Sequence, residues 1–304
     1  MPARAEPSLL VADDWRDYRL LDSGDGEKLE QVGPYRFVRP EPQALWSKRQ
    51  SDWRADAVFA PAAAEDEDAG RWRFNHPLPD NWPMRWGELH FQSRPTPFRH
   101  LAFFPEQSVH WRFAREALTP PHGHQPEVLN LFGYTGLASL VCAQAGAKVT
   151  HVDASKKAIG FARDNQRAAG LENAPIRWIC DDALSFVQRE IRRGRRYDGI
   201  VLDPPKFGRG PNGETWRLET QLKDLLAACN VLLRRTPDDP RSAQGFLVAT
   251  VYAVRLSYLA LAQTAEDVFR DADGVWEAGE MALPHAADDR LLPTAIFTRW
   301  LNRT

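Results

Sequence analysis

The chain has 304 residues, 43% of them hydrophobic, and a formal net charge of −2, and this hydrophobic content is ordinary for a globular protein with a sizeable core. No apolar run is long enough to span a membrane, and the first residues do not resemble a secretory signal, so we expect a cytoplasmic protein. Three cysteines without paired spacing argue against a disulfide framework and a zinc site, and we expect no metal.

The first hundred residues consist of short aromatic segments interrupted by glycine and proline, such as residues 33–38 and 87–91. This pattern predicts a small β-rich domain over residues 1–105, followed by a second domain over residues 106–304. Between two of the aromatic segments, the alanine-rich and acidic residues 60–70 are expected to be an exposed loop or partly disordered.

Five tryptophans of this first region allow two interpretations. They could form a face on which bases stack, but such residues more often fill the core of a small domain, and we favour the core. These residues are Trp46, Trp53, Trp72, Trp82 and Trp86.

Residues 128–136 place an apolar strand before a glycine turn and a helix. Gly133 and Gly136 lack a Cβ, so the turn can be tight and its N–H groups can approach a ligand at the helix N-terminus. Asp153 ends the next strand, where a carboxylate can accept hydrogen bonds from both hydroxyls of a ribose. The two features predict a nucleotide-like ligand, although an ordinary turn with an incidental acid is the alternative.

The glycine pattern also distinguishes between ligands of this kind. A dinucleotide site needs Gly-x-Gly-x-x-Gly, whereas this turn offers only Gly133 and Gly136. A ligand with an amino-acid end and an adenosine end fits the wider turn better, and S-adenosylmethionine has that composition.

A pair of aspartates follows the third predicted strand. Asp182 can accept a hydrogen bond from the adenine amine, with the backbone of Ala183 against the ring. Asp181 or Asp182 can also simply cap the helix that begins there, and both roles are compatible.

The sequence Asp-Pro-Pro-Lys-Phe at residues 203–207 ends a buried strand. A residue before proline is held in an extended conformation, so the Asp203 carboxylate is presented at the carboxyl edge of the sheet, where parallel sheets bind ligands. Asp203 and the rigid corner at Pro204 can accept hydrogen bonds from an exocyclic amine of a bound molecule and so orient it. Phe207 can stack on a planar ring.

The segment from residue 206 to residue 217 is expected to lie over this site as a glycine-rich lid. Its cations Lys206, Arg209 and Arg217 alternate with Phe207 and Trp216, a mixture suited to phosphates and stacked bases. A flexible loop that covers only the cofactor is the alternative. A second basic segment, residues 189–196, precedes a strand at the opposite edge, and we interpret it as a solvated connection.

Strands and helices alternate from residue 106 onward, which predicts an α/β fold with helices on both faces of a sheet. The strands are expected at residues 127–131, 147–152, 175–179, 198–203, 245–251, 275–282 and 294–301. The helices are expected at residues 137–145, 155–169, 183–193, 216–234 and 256–271. No helix is apparent between the last two strands, which suits an antiparallel hairpin that closes a seven-stranded sheet.

The turn, Asp153, Asp182 and the corner at residues 203–207 together resemble a class I S-adenosylmethionine-dependent methyltransferase. Within that superfamily the chain is similar to the ribosomal RNA cytosine-C5 methyltransferases and their less characterised relatives, over about residues 90–304. The resemblance implies a seven-stranded Rossmann-like sheet and S-adenosylmethionine as cofactor. It also implies RNA as the acceptor of the methyl group, with ribosomal RNA as the favoured substrate. Residues 99–107 also resemble a segment of that group, and place Gln107 near the cofactor's methionine end, although Glu106 and Gln107 can equally cap the next helix.

The resemblance and the pattern together give three sets of site residues. The cofactor-binding set is Gln107, Asn130, Phe132, Gly133, Tyr134, Thr135, Gly136, Asp153, Ala154, Asp182 and Ala183. The catalytic set is Asp203, Pro204 and Lys206, and the substrate-binding set is Phe207, Arg209, Trp216 and Arg217.

One departure from the family pattern concerns the chemistry. Methylation of cytosine C5 needs a thiolate, and the family carries its cysteine just after the fifth strand, but residues 245–253 contain none. Cys142 and Cys229 fit core positions, and Cys180 precedes the adenine contact. Direct transfer to nitrogen or oxygen is therefore the expected reaction.

Two other functions stay open at this point. A net charge of −2 argues neither for nor against an RNA substrate. The separate RNA-binding domain of related enzymes is not apparent in the sequence. The acceptor could thus be a protein or a small molecule, or the chain could be a non-catalytic RNA-binding module.

Overall fold

The computed structural model describes residues 6–63, 66–118, 124–234, 245–252 and 256–302, with the backbone alone for residues 63 and 66–69. The chain forms two compact units. The α/β unit contains Met1–Leu10, Val109–Glu280 and Ala295–Thr304, and the β unit contains Val11–Ser108 and Met281–Thr294.

In the described part of the chain, eight strands precede the first helix. They are β1 (Ser8–Val11), β2 (Tyr18–Gly24), β3 (Glu27–Val32), β4 (Tyr35–Pro40), β5 (Ala57–Ala63), β6 (Asp66–Phe74), β7 (Trp82–Trp86) and β8 (Leu89–Ser93). A short 3-10 helix, Pro105–Gln107, leads into α1 (Ser108–Ala117).

Strands and helices are then mixed to the end of the described chain. They are β9 (Glu127–Leu131), α2 (Leu137–Gln144), β10 (Lys148–Asp153), α3 (Lys156–Ala168), β11 (Ile176–Cys180), α4 (Ala183–Arg192), β12 (Gly199–Leu202), β13 (Phe207–Arg209), β14 (Thr215–Arg217), α5 (Leu218–Leu232), β15 (Phe246–Tyr252), α6 (Tyr258–Val268), β16 (Val275–Pro284) and β17 (Leu291–Leu301). Consecutive strands occur at β12–β14 and at β16–β17. No helix among these elements is both long and apolar enough to cross a membrane.

The main sheet has the order β1-β16-β17-β15-β12-β9-β10-β11. Strands β15, β12, β9, β10 and β11 run parallel, and β17 pairs antiparallel with β15. The predicted α/β fold is confirmed, and β1 adds an eighth strand to the seven expected.

The central strands β9, β12 and β15 have side chains buried on both faces, which is why these three strands are mostly apolar. Leu131 and Leu202 belong to a cluster that includes Phe186 of α4 and Leu225 of α5. Val128, Val201 and Val248 belong to a second cluster that includes Leu118 and Cys142. Each fully buried Leu or Val contributes roughly 1.5–3 kcal/mol relative to exposure, so the two apolar faces hold the helical layers against the sheet.

The β unit contains the five-stranded sheet β2-β3-β4-β5-β6 and the β7–β8 hairpin. Trp82 and Trp86 are buried in it, as the core interpretation expects. Trp46, Trp53 and Trp72 are half-buried, and their indole N–H groups donate to Ser23, Asp22 and Thr96 respectively, so they too have structural partners.

The expectation of a loop over residues 60–70 is wrong for most of that segment. Residues 60–63 end β5 and residues 66–70 begin β6, and the two strands pair antiparallel. Residues 64 and 65 lie outside the described part. Backbone pairing here overrides a composition of alanine and acids that is poor in strand-forming residues.

Candidate functional site

The carboxyl ends of the parallel strands meet at one edge of the main sheet. The register aligns Leu202 with Leu131, so β12 and β9 end side by side, followed by Asp203 and Phe132. The neighbouring strand β10 ends at Asp153. Open α/β sheets bind ligands at this edge, and the topology brings the predicted turn, the acid and the corner to it.

The turn after β9 has an unusual backbone. Phe132 and Tyr134 adopt left-handed conformations with φ of 55° and 49°, and Gly136 has φ of 86°. A non-glycine residue in this region costs on the order of 1–3 kcal/mol and is enriched at functional sites. Gly136 supplies the conformational freedom predicted for it, and it is the N-cap of α2, which has no acidic residue in its first turn.

Gly133 does not have a positive φ, and the space left by its missing Cβ is used for packing. A Cβ at this position would lie 2.4 Å from Cε1 of His151, so the glycine leaves room for the imidazole. Gly133 N–H donates to the carbonyl oxygen of Val152 at 3.1 Å, which ties the turn to β10.

A buried polar layer lies beneath this turn. The amide Nδ2 of Asn130 donates to Ser139 Oγ at 2.9 Å, and Ser139 Oγ lies 3.0 Å from Nδ1 of His151. Burial lowers the pKa of His151 to about 3, so the imidazole is neutral. Its ring also packs on Trp178, with centroids 4.6 Å apart. Asn130 thus supports the turn from below. The sequence pattern alone could not tell this supporting role from direct contact with the cofactor, which stays a prediction.

The backbone of the turn is held by two further side chains. Asp153 Oδ2 accepts from Tyr134 N–H at 2.9 Å, and its Oδ1 accepts from Ser155 N–H at 2.8 Å. Burial raises the pKa of the Asp153 carboxyl, although both N–H groups oppose the shift. Thr135 is buried, and its carbonyl oxygen accepts from Asn165 Nδ2 at 3.0 Å.

Of the two aspartates after β11, Asp182 caps the helix that follows. Asp182 is the N-cap of α4, and its Oδ1 accepts from Ser185 N–H at 2.8 Å. Asp181 pairs with Arg189 of the same helix. The capping interpretation is therefore confirmed, while the adenine contact stays a prediction. Ala183 is buried directly after the cap, and the carbonyl oxygen of Ala154 accepts from the Cys180 thiol at 3.5 Å.

The corner at residues 203–207 is braced by the segment that follows it. Pro204 is buried, Asp203 is half-buried, and Lys206 is exposed. The carbonyl oxygen of Pro205 accepts from the Trp216 indole at 2.7 Å, and that of Lys206 accepts from Leu218 N–H at 3.1 Å.

The predicted lid is a β-hairpin formed by β13 and β14. Phe207 is 48% exposed, and the guanidinium carbons of Arg209 and Arg217 lie 5.9 and 5.5 Å from its ring centroid. Trp216 needs correction on two counts. It belongs to β14, since α5 begins at Leu218, and it is only 2% exposed, so its ring supports the hairpin and offers no face for stacking.

The basic segment at residues 189–196 is engaged in ion pairs. Arg193 and Arg195 pair with the buried Glu190, and Arg195 also pairs with Glu127. The Tyr197 hydroxyl donates to the same Glu190 at 2.7 Å. These contacts favour the interpretation of the segment as a structural connection.

Gln107 lies in the β unit, in the 3-10 helix Pro105–Gln107, where its N–H donates to the carbonyl oxygen of Phe104 at 3.2 Å. Glu106 beside it is buried, and burial raises the pKa of its carboxyl. The role of Gln107 in cofactor binding stays a prediction.

The cysteines are poor candidates for a nucleophile. Burial raises the pKa of both Cys142 and Cys229 to about 12, which keeps these thiols protonated. Among the described residues, no three histidine, cysteine or acidic side chains form a group that could hold a metal ion.

No protein-family model matches the chain. The crystal structure of a SAM-dependent methyltransferase from Agrobacterium tumefaciens is 46% identical, has a TM-score of 0.91 and covers 99% of this chain and 96% of that one. The structure of SMU.776 complexed with SAH is 17% identical, has a TM-score of 0.70 and covers 95% of this chain and 76% of that one, which shows a shared fold.

Among curated proteins, Ribosomal RNA large subunit methyltransferase I of Aeromonas salmonicida is 40% identical over 81 residues. The match covers 26% of this chain and 20% of that protein. The chain therefore spans about a fifth of the length of such relatives.

Proposed function

The chain belongs to the S-adenosylmethionine-dependent methyltransferases, and we propose that it methylates RNA, with ribosomal RNA as the favoured acceptor. The observation that carries this proposal is the Phe207 platform between Arg209 and Arg217, directly after the Asp203–Pro204 corner. An exposed aromatic ring with two flanking cations suits a stacked base and its phosphates. The local identity with a ribosomal RNA methyltransferase supports the same acceptor.

The cofactor carries an electrophilic methyl group on a positively charged sulfur. The residues of the site suit such a ligand, since α2, whose N-cap is Gly136, has no acid in its first turn and its positive end favours the cofactor's carboxylate. The N–H groups of Gly133 and Tyr134 are held by Val152 and Asp153. The N-terminus of α2 is therefore the feature that supports our assignment of residues 133–136 to the methionine part.

We assign the ribose and the adenine of the cofactor to residues at the carboxyl ends of β10 and β11. Each Asp153 oxygen accepts one backbone N–H and keeps a second lone pair with which to accept a ribose hydroxyl. Asp182 retains a second carboxylate oxygen beyond the one that caps α4, and we assign it to the adenine amine, with Ala183 against the ring. The contact of Gln107 with the methionine end rests on the family resemblance alone.

Asp203 and Pro204 are assigned to orientation of the acceptor, and Lys206 to a nearby phosphate or base. Pro205 and Trp216 fix this corner by a hydrogen bond, so an acceptor held there would have a defined position. Trp216 acts through the corner as a positioning residue.

We assign the reaction to a nitrogen or oxygen acceptor. Cytosine C5 chemistry needs a thiolate beside the base, whereas the two thiols with raised pKa are buried in the core and Cys180 donates to Ala154. A nitrogen or oxygen acceptor needs alignment with the methyl group and release of its own proton.

The test is methyl transfer from radiolabelled S-adenosylmethionine to total RNA and to total protein from a strain that lacks this gene, followed by identification of the labelled nucleoside. Phe207→Ala is the informative variant, and Phe74→Ala, another exposed phenylalanine, is its matched control. Label in RNA that falls with Phe207→Ala alone supports the proposal. Label only in protein overturns the RNA assignment, and 5-methylcytosine overturns the assignment to nitrogen or oxygen.

A further inference from the structure

The β unit carries a cleft that no part of the proposed site uses. Its volume is about 290 Å³, and its lining includes Arg19, Arg36, Arg54, Asp52 and Leu29. Leu29 is buried and forms an apolar floor, whereas the three arginines are exposed around it. A cleft with a cationic rim and an apolar floor suits an anionic ligand that also has an apolar part.

The register of the sheet explains why the arginines are neighbours. Arg19 of β2 and Arg36 of β4 both lie opposite Gln31 of β3, so the three side chains share one face. Two strand spacings separate the arginine backbones by roughly 10 Å. The Arg36 guanidinium is held in place because its Nε donates to Gln31 Oε1 at 3.2 Å.

The cleft has an excess of positive charge. Asp52 pairs with Arg54 at 3.3 Å, and both partners are largely exposed, so that pair is weak. Within the described residues, neither Arg19 nor Arg36 forms an ion pair. Asp56 accepts the backbone N–H of Arg36 and pairs with His76, so its charge is already engaged. Two like charges on one face favour a bound anion between or beside them.

We propose that this cleft binds the phosphate backbone of RNA, which makes the β unit a second contact for the substrate. The proposal rests on RNA as the acceptor. Guanidinium groups bind phosphate in a bidentate way, and exposed arginines give low affinity for a single phosphate. RNA carries one phosphate per nucleotide, so several weak contacts of this kind can add up along one strand.

The experiment measures the anisotropy of fluorescein-labelled fragments of ribosomal RNA over a range of salt concentrations. The double variant Arg19→Ala/Arg36→Ala should bind about tenfold more weakly at low salt, and the slope of log K against log salt should fall in magnitude by about 1.4 if each arginine contacts one phosphate of a single strand. Arg19→Lys/Arg36→Lys keeps both charges and should keep most of the slope. Arg85→Ala, an exposed arginine of β7, is the matched control and should bind as the wild type does.

The outcomes separate this proposal from the one on which it rests. If wild type methylates and binds RNA while the double variant binds equally well, or Arg85→Ala loses as much, the cleft proposal alone fails. If wild type binds S-adenosylhomocysteine in calorimetry but neither binds nor methylates RNA, both proposals fail. Heat on titration of inorganic phosphate that disappears in the double variant, with RNA affinity unchanged, would assign the cleft to free phosphate and overturn the RNA assignment.

Discussion

Phe132 packs against Trp216, with ring centroids 5.0 Å apart and planes inclined at 54°. Phe132 is a left-handed residue of the turn assigned to the cofactor, and Trp216 donates to the carbonyl oxygen of Pro205 in the corner assigned to the acceptor. One aromatic contact therefore joins the two halves of the proposed site, which have to be aligned for a direct methyl transfer.

Trp216→Phe keeps a ring at this contact and removes the N–H that holds Pro205. We expect a loss of about 1 kcal/mol in the free energy of unfolding, the usual value for a hydrogen bond. We also expect a lower kcat with an unchanged Kd for S-adenosylhomocysteine, because the acceptor corner is loosened and the cofactor turn is not. Urea denaturation, calorimetry and transfer assays measure the three quantities.

Trp300→Phe is the matched control for this change. Trp300 is also buried in the α/β unit, and within the described residues its indole N–H has no hydrogen-bond partner. The replacement should change neither kcat nor the cofactor Kd. An equal fall in kcat in the two variants would show that Trp216 does not act through Pro205.

Gly133→Ala should destabilise the protein by about 1–3 kcal/mol, the range for an overpacked site. Its Cβ would lie 2.4 Å from Cε1 and 2.5 Å from Nδ1 of a buried imidazole ring. In the His151→Ala background the same change should cost clearly less, because the ring is absent. A double-mutant cycle from denaturation midpoints measures this coupling, and additive losses would contradict it.

Asp153 should give the stability of the cofactor-free protein a defined pH dependence. Burial raises the pKa of its carboxyl above the ordinary value of 3.8, so the folded protein keeps this proton to a higher pH than the unfolded chain does. The contribution of this group to the free energy of unfolding therefore falls as pH rises from 3.8 through the folded pKa. Asp153→Asn should lack this fall, and denaturation of both proteins over that pH range measures the difference.

The same variant should bind S-adenosylhomocysteine at least tenfold more weakly, because a hydrogen bond to a charged acceptor is worth about 1.5–3 kcal/mol. Wild-type affinity should also decline as pH falls through the raised pKa, while the affinity of Asp153→Asn should not. Calorimetry at several pH values measures both effects, and parallel pH profiles would contradict the assignment of Asp153 to the ribose.

Asp203→Asn should leave the affinity for S-adenosylhomocysteine within about twofold of wild type and lower kcat by about 100-fold or more, the loss typical of a group that acts on the reacting atoms. The substitution keeps the shape of a half-buried side chain, so folding should be retained. Calorimetry and single-turnover transfer give the two numbers. Equal losses of cofactor affinity in the Asp153 and Asp203 variants would refute the division of roles.

The sequence predicted the α/β unit closely because its central strands β9, β12 and β15 are mostly apolar and glycine or acidic residues lie close to the ends of several strands. The strand expected at residues 127–131 is β9 (Glu127–Leu131), and the C-terminal hairpin was expected from the missing helix. Such local patterns need no knowledge of distant residues.

The remaining features depend on contacts between residues that are distant in sequence. Each strand of the β13–β14 hairpin is only three residues long. The hairpin is stabilised because the Trp216 indole N–H donates a hydrogen bond to the carbonyl oxygen of Pro205. The left-handed conformations of Phe132 and Tyr134 have no signal in their side chains, since glycine or asparagine is the usual marker. The alanine-rich and acidic composition of residues 60–70 likewise gave no indication that this segment forms paired strands.

The chain moves between the two units four times, since the β unit takes residues 11–108 and then residues 281–294. Within the β unit, buried Asp22 pairs with Arg290 at 3.0 Å, and Ser23 Oγ lies 2.8 Å from Nε2 of His285. When only the first 108 residues have been synthesised, one partner of each of these contacts is still missing. The β unit can be completed only after residues 281–294 have been synthesised, so dividing the gene at one position would not yield either unit intact.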